Sequence, residues 1–263
     1  MYHQPPADFL YSAYLIENKF VSLDGTPPKE GVGTGFVLAV KEKLPIIITN
    51  RHVIDIDYRE PTAKYKHFEL RELSITGRRA DDTSYTFRLC PKARFFLDDD
   101  IQNDVALIEA RIYEDDPVQF AKGLHWHFGI EHLATEEVFN TSLQPYDDVA
   151  FTGFPSTHDK LAGRPILRAG KIASDPKFDY SWSNEYKGNC VAYEAFSTSG
   201  ASGSPVFAPP RGAAGIPGSR HGYLIGVNAG HIPDPDMFKG HSGISYFYKS
   251  TIILKILRQA GLI

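Results

Sequence analysis

Three side chains in this sequence are of the types that together can break an acyl bond: Ser202, His52 and Asp104. Ser202 lies in Phe196-Ser-Thr-Ser-Gly-Ala-Ser-Gly-Ser-Pro-Val-Phe207, between Gly200 and Gly203. Flanking glycines let the backbone turn sharply and leave no Cβ in the path of an approaching carbonyl. Successive amide N–H groups in such a turn can converge on one point and hold a negatively charged oxygen. A serine hydroxyl alone is a poor nucleophile, so the chemistry needs a base and a group that orients the base. His52 offers the first, in Pro45-Ile-Ile-Ile-Thr-Asn-Arg-His52-Val-Ile54, a β-branched run that ends in a polar turn. Asp104 offers the second, just ahead of the apolar run Val105-Ala-Leu-Ile108. A Gly-x-Ser-Gly segment also occurs in ordinary surface turns. The order His, Asp, Ser, each at an end of a strand-like run, is what carries the reading.

The elements that must position these groups read mostly as strands. Tyr11–Ile16, Gly35–Val40 and Ile46–Thr49 are apolar and β-branched or aromatic, with Asp24–Pro28 a loop between the first two. His67–Thr76 and Ser84–Cys90 alternate in character, which suits half-buried antiparallel strands. Tyr58–His67 is polar and reads as a surface loop. The acidic run Asp98-Asp-Asp100 competes with Asp104 for the role of orienting acid. Asp104 is preferred because the strand that follows fixes its backbone, and the role demands a held, largely buried carboxylate. In the second half, Asp148–Phe154, Ile166–Ala173 and Cys190–Phe196 lead into the serine turn, and Gly222–Asn228 and Gly243–Tyr248 follow it. Pro209–Ser219 is a Pro- and Gly-rich loop. Ser250–Gly261 has apolar residues at helical spacing, with Ser250 or Thr251 to cap its start and Gly261 its end.

Composition bounds the alternatives. A chain of 263 residues with 42% hydrophobic and 23% charged residues is ordinary for a globular protein and long enough for two subdomains sharing one site. A net charge of −4 gives no reason to expect nucleic acid as a partner, and no apolar run has the ~18 residues of a membrane span. Met1–Asp8 lacks the basic start and apolar core of a secretion signal, so the expected compartment is the cytoplasm. Cys90 and Cys190 fall in different halves and read as two buried free thiols. His125, His127, Glu131 and His132 match no zinc spacing and read as surface residues of a connection over 111–142, with room for a short helix.

Six colinear blocks now point to a family. Gly33-Thr-Gly-Phe-Val-Leu38, Ile48–Ile54, Asn103–Ile108, Val149–Pro155, Gly200–Phe207 and Leu224–Gly230 together resemble the trypsin-like, chymotrypsin-fold serine proteases. The nearest look is to bacterial single-domain members of the glutamyl-endopeptidase and high-temperature-requirement types, here without a PDZ domain. The resemblance implies an all-β fold of two six-stranded antiparallel β-barrels, a chymotrypsin-like double barrel, closed by a C-terminal α-helix. It divides the chain into a first barrel over 1–113 with His52 and Asp104, a connection over 114–142, and a second barrel over 143–263 with Ser202. It implies a serine endopeptidase with His52 as base, Asp104 as orienter, Ser202 as nucleophile, and the N–H groups of Gly200 and Ser202 as the oxyanion hole. Phe196, Ser197, Asn228, Ala229 and Gly230 fall where the substrate pocket lies, with His231 and His241 in the same region. No cofactor or metal is implied. The partners are a protein or peptide substrate and a regulatory protein, not nucleic acid or a membrane.

Two departures carry information. Ala201 stands where zymogen-activated members have an Asp that pairs with a new N-terminus, so activation by that cleavage is not expected. Control then falls to a partner, to oligomerisation or to loop ordering. Asn228 stands where glutamyl endopeptidases have a histidine, and Phe196 where trypsin-type enzymes have the pocket Asp. Preference for Glu, or for Lys and Arg by that route, is therefore not supported. A ring at Phe196 near the pocket base would favour small or medium apolar residues. The same residue set also suits a catalytically silent binding module on this fold, or an esterase with the same acyl-enzyme chemistry.

Overall fold

The computed structural model describes residues 7–60, 62–79, 81–89, 93–111, 126–183, 188–212, 215–234, 236 and 240–263. Cys90 and His125 lie outside these residues. Strands β1 (Ala13–Ser22), β2 (Lys29–Ala39), β3 (Ile46–Thr49), β4 (Phe68–Arg78), β5 (Ser84–Arg88), β6 (Phe95–Leu97), β7 (Ala106–Glu109) and β8 (Phe128–Gly129) form one sheet. Strands β9 (Asp148–Gly153), β10 (Ile166–Ile172), β11 (Cys190–Glu194), β12 (Pro205–Ala208), β13 (Tyr223–Pro233) and β14 (His241–Lys249) form the other. Among the described residues helices are few: α1 (Arg51–Ile54), α2 (Glu136–Thr141) and α3 (Ser250–Gln259). The fold class is the chymotrypsin-like all-β one with a C-terminal helix. Among the described residues, no helix is long and apolar enough to cross a membrane.

The second sheet is a closed six-stranded antiparallel barrel in the order β10-β11-β14-β13-β12-β9. The first runs β5-β4-β1-β2-β3-β7-β6, with β8 added parallel to β2, so among the described residues it has eight strands rather than six. The addition of β8 has a simple cause. Strand β1 starts at Ala13, opposite Phe36, so Leu38 and Ala39 have free edge groups there that Phe128 and Gly129 take up. The sheet rolls around its own core, in which Tyr14, Ile16, Val37, Ile47, Ile75 and Ile108 meet. A separate cluster around Phe151, Tyr193, Val206, Ile225 and Phe247 fills the closed barrel.

Some expected boundaries moved. The segment at Tyr11 is the end of a 3-10 turn, Ala7–Ser12, and β1 begins two residues later. Helix α3 begins where expected, but Lys249 is its N-cap residue and no side chain caps it. Ser250 Oγ instead donates to the Ala134 carbonyl (2.7 Å), which fastens the helix start to the segment before α2. Gly261 does end the helix, with φ +64°, a left-handed conformation that glycine adopts without strain.

Asp98 fixes α3 to the first sheet. Its carboxylate is almost fully buried and accepts from Lys255 Nζ (2.6 Å), Asn103 Nδ2 (2.9 Å) and the Asp100 N–H (2.9 Å). Burial works against its charge, but these donors together hold the carboxyl below its ordinary value. The stabilisation is therefore present at neutral pH and is lost as pH falls through that lowered value. Replacing Asp98→Ala should remove about 2 kcal/mol of unfolding free energy at pH 7, measured by urea denaturation. The loss should shrink in acid, and an unchanged midpoint at pH 7 would contradict the strut.

Candidate active site

Sheet register brings His52 and Asp104 together. In the antiparallel β3–β7 pair, Thr49 lies opposite Ala106. The chain leaving β3 and the chain entering β7 therefore meet at one end of the sheet. His52 is on the single helical turn α1 that follows β3, and Asp104 is two residues ahead of β7. The turn is pinned on three sides. Asn50 Nδ2 donates to the Asp104 carbonyl (2.6 Å), the His52 N–H donates to Asp104 Oδ1 (2.9 Å), and Asn18 Nδ2 donates to the Val53 carbonyl (2.5 Å).

The side chains complete the pair. His52 Nδ1 lies 2.6 Å from Asp104 Oδ2. An ionised carboxylate only accepts, so Nδ1 carries the proton, and the neutral ring keeps its lone pair on Nε2. The Asp104 side chain is 8% exposed and that of His52 is 40% exposed, so the acid is enclosed while the ring edge reaches solvent. Burial pulls the His52 ring down, but the charge and hydrogen bond of Asp104 outweigh it, and the imidazole titrates above its ordinary value. For Asp104, burial pushes up, and the charge and hydrogen bonds of His52 bring its carboxyl below the ordinary value. Asp98 and Asp99 bind Lys255 and Gln259 of α3 instead, which separates them from the histidine.

The serine turn enters β12 from the other half. Gly200 (φ +89°) and Gly203 (φ +90°) are both left-handed. A Cβ at Gly200 would meet the Phe154 carbonyl at 2.4 Å, and one at Gly203 would meet the Thr34 carbonyl at 1.9 Å. Only glycine allows the turn to lie that close to β2. Thr34, fully buried on β2, holds it there. Its N–H donates to the Ser202 carbonyl (2.8 Å), and its hydroxyl donates to the Gly200 carbonyl (2.7 Å) and accepts from the Phe154 N–H (3.0 Å).

Two peptide groups of the turn have fixed directions. The Ser199 carbonyl accepts from the Ser156 N–H (2.8 Å), and the Ala201 carbonyl accepts from Asn228 Nδ2 (2.8 Å) and the Ser204 N–H (3.1 Å). In a trans peptide the C=O and N–H point opposite ways, so the N–H groups of Gly200 and Ser202 face away from those partners. Neither donates to another group among the described residues. His52, Ser199, Gly200 and Ser202 line one cleft of about 250 Å³ with Asn18, Glu30 and Val53. The Ser202 hydroxyl, however, donates to the Ala229 carbonyl (3.1 Å) rather than to His52.

The pocket residues fare unevenly. Asn228 is fully buried, and its amide is occupied by Tyr193 Oη (2.6 Å), Ser197 Oγ (2.8 Å) and the Ala201 carbonyl. It braces the serine turn, and its side chain is not a pocket wall. Ser197 is buried beneath it. Phe196 is 57% exposed, and its ring lies against His241, which stacks on His231 with centroids 4.4 Å apart. The exposed ring gives no support of its own to a preference for small or medium apolar residues. Ala229 supplies the carbonyl that holds Ser202, with half-buried Gly230 beside it. Thr34, Asn50 and Asn18 have no counterpart among the sequence candidates. The one signal for Thr34 was its place between Gly33 and Gly35. The Cys190 thiol is buried and free, and burial pushes it well up.

A family model for the trypsin-like peptidase domain matches residues 33–214, which takes in His52, Asp104, Thr34 and the serine turn. The chain belongs to that family. No curated protein matches it. Among solved structures, Deg5 superposes with a TM-score of 0.53 at 18% identity, covering 94% of this chain and 87% of its own. A thermostable serine protease, AL20, from an extremophilic microorganism gives 0.54 at 13% identity, covering 97% and 98%. At such identities these likenesses speak for the fold.

The electrostatics of the peptidase-domain site can be read directly. An NMR titration of the His52 ring should give a midpoint above the ordinary value of 6.5. In Asp104→Asn it should fall below the wild-type midpoint, because the charge that offsets burial is gone. A wild-type midpoint below 6.5 would mean that burial wins.

Proposed function

We propose that the chain is a serine endopeptidase that hydrolyses peptide bonds of protein substrates through Ser202, His52 and Asp104. The observation that carries this reading is the enclosed Asp104 carboxylate bonded to His52, on one cleft with the glycine-flanked Ser202, within a trypsin-like peptidase domain. Neutral His52 takes the Ser202 proton at Nε2 as Oγ attacks the substrate carbonyl, and then gives it to the leaving amine. Water repeats the sequence on the acyl-enzyme and frees the acid product and the serine. Asp104 holds the tautomer and stabilises the imidazolium. The N–H groups of Gly200 and Ser202 bind the carbonyl oxygen as it gains charge, each worth about 2.7–4 kcal/mol to the barrier.

In this reading residues 1–113 and 143–263 are the two domains that share the cleft, and 114–142 connects them. Within the family, the sequence blocks lead us to place the chain near the single-domain glutamyl-endopeptidase and high-temperature-requirement types. The P1 preference stays open, since neither Asn228 nor Phe196 offers a side chain to a pocket floor. No cofactor enters the scheme.

One observation favours a second reading, a catalytically silent binding module: the bond from Ser202 to Ala229. A rotation about the Ser202 Cα–Cβ bond, between staggered wells, would release it toward His52. The exchange sacrifices one neutral hydrogen bond, about 1 kcal/mol net, so it does not weigh heavily against turnover.

A fluorophosphonate probe tests the choice. Wild-type protein should be labelled at Ser202, and Ser202→Ala and His52→Ala should not. Against a peptide library, either variant should lose on the order of 10⁶-fold in kcat. The acid limb of the wild-type kcat/KM profile should lie above pH 6.5, because the raised His52 must lose its proton to act as base. Absence of labelling would favour the binding module, and turnover of p-nitrophenyl esters but of no amide would favour an esterase.

A further inference from the structure

The loop between β9 and β10 is anchored to the first sheet at its outer end. Arg164 donates from Nε to Asp82 Oδ1 (2.9 Å) and from Nη2 to Asp82 Oδ2 (2.5 Å), a two-point pair across the two halves of the chain. Its remaining nitrogen, Nη1, donates to Asp159 Oδ2 (2.8 Å). Asp159 Oδ1 accepts from the N–H groups of Leu161 and Ala162 (3.1 Å each), so the loop tip closes on the same arginine. Asp82 sits at the β4–β5 turn with φ +69°, where Arg78 Nη1 also donates to Oδ1 (2.8 Å). The root of this loop holds the serine turn. Phe154 N–H donates to Thr34 Oγ1, and Ser156 N–H donates to the Ser199 carbonyl. That second bond faces the Gly200 N–H away from the loop.

We propose that Asp82 and Arg164 are positioning residues for the reaction above, a latch that keeps Ser156 on the Ser199 carbonyl and so keeps the Gly200 N–H aimed at the substrate oxygen. The proposal rests on the peptidase reading of the site. Both partners are roughly half exposed, and solvent screening leaves such a pair little weight in folding. The geometry is worth more than the energy, because a planar guanidinium facing a carboxylate fixes direction as well as distance. A group displaced by about 1 Å at a reacting centre can lose about 100-fold in rate, so a weak surface pair can matter greatly there. The latch therefore acts on turnover rather than on unfolding.

The test compares wild type with Asp82→Asn, Arg164→Gln and Arg164→Lys. The substrate is a fluorogenic peptide that wild type cleaves and Ser202→Ala does not. Asp82→Asn and Arg164→Gln should lose about ten-fold in kcat with KM within about two-fold, and with Tm unchanged. Arg164→Lys should recover less than half of that loss, because a point charge lacks the fork. Wild-type kcat should fall between about 0.05 and about 0.5 M NaCl, while that of Asp82→Asn stays flat. Amide exchange at Ser156, read without any substrate, should quicken in Asp82→Asn but not in Lys171→Met, which breaks the exposed pair with Asp148 instead.

Unchanged kcat and unchanged Ser156 exchange in Asp82→Asn and Arg164→Gln overturn the latch. A loss of activity matched by a lower Tm overturns it too, since the pair is then only structural. A wild-type chain that neither cleaves peptides nor takes the fluorophosphonate overturns the peptidase reading, and the latch with it. Because that result is read on wild type alone, the two failures are distinct.

Discussion

The site depends on one buried threonine. Thr34 uses its N–H, its carbonyl and its hydroxyl to join β2 to the Ser202 and Gly200 carbonyls, to the Phe154 N–H and to Thr49 Oγ1. Each of those partners lies beside a group of the site: Thr49 ends the strand before His52, Phe154 roots the loop behind Gly200, and the serine turn is its direct neighbour. Valine has nearly the same shape but no hydroxyl, and in its place the Gly200 carbonyl and Phe154 N–H would be stranded in a dry interior. The distance between the two halves at the cleft is thus set by hydrogen bonds that tolerate little slack. Gly203 sets the same distance sterically, because any side chain there would collide with the Thr34 carbonyl.

Around that junction, each functional group is held by a different kind of constraint. His52 and Asp104 are brought together by strand register, which is rigid because β3 and β7 are buried on both faces. The backbone N–H groups of the turn are held by the opposite ends of their own peptides, through Ser156, Asn228 and Ser204. The Ser202 hydroxyl is the least constrained. Its bond to Ala229 is made by rotation about a single torsion, and among the described residues no other hydrogen bond holds it. The three side chains therefore differ in freedom: a locked acid, a ring fixed at one nitrogen and open at the other, and a hydroxyl that can swing.

Much of the fold was legible in the sequence because strands bury alternate or continuous apolar faces. Ile46–Thr49 was read to the residue, and Asp148–Phe154 and Ile166–Ala173 to within one. Strand β6 went unread, since three residues are too few to show a period. The pairing of β8 with β2 went unread because it depends on where β1 starts, a property of a third strand. The expected cap at Ser250 failed because its hydroxyl found the Ala134 carbonyl, a partner 116 residues away. The same limit explains the site. His52, Asp104 and Ser202 announce themselves by type and local setting. Thr34 and Asn228 matter through bonds to residues far along the chain, and no local pattern reports such bonds. The orientation of the Phe196 ring was not legible, because position alone says nothing about which way a ring turns.

In the proposed reaction His52 is a base that must cycle, and the electrostatics of the pair suit that role. If Asp104 were as exposed as His52, water would screen its charge and the imidazolium would gain little from it. If His52 were as enclosed as Asp104, its Nε2 could not reach a substrate, and the desolvation that already opposes its charge would grow. The observed division, an enclosed carboxylate and a half-open ring, keeps the field strong on the Nδ1 side and the approach free on the Nε2 side. A raised imidazole carries a matching cost, because a larger share of the protein is protonated, and idle as a base, at neutral pH. The same shift makes the imidazolium easier to form when the serine gives up its proton. Catalysis by this site would trade some resting base for a more stable charged intermediate, and the balance is set by the burial of one aspartate.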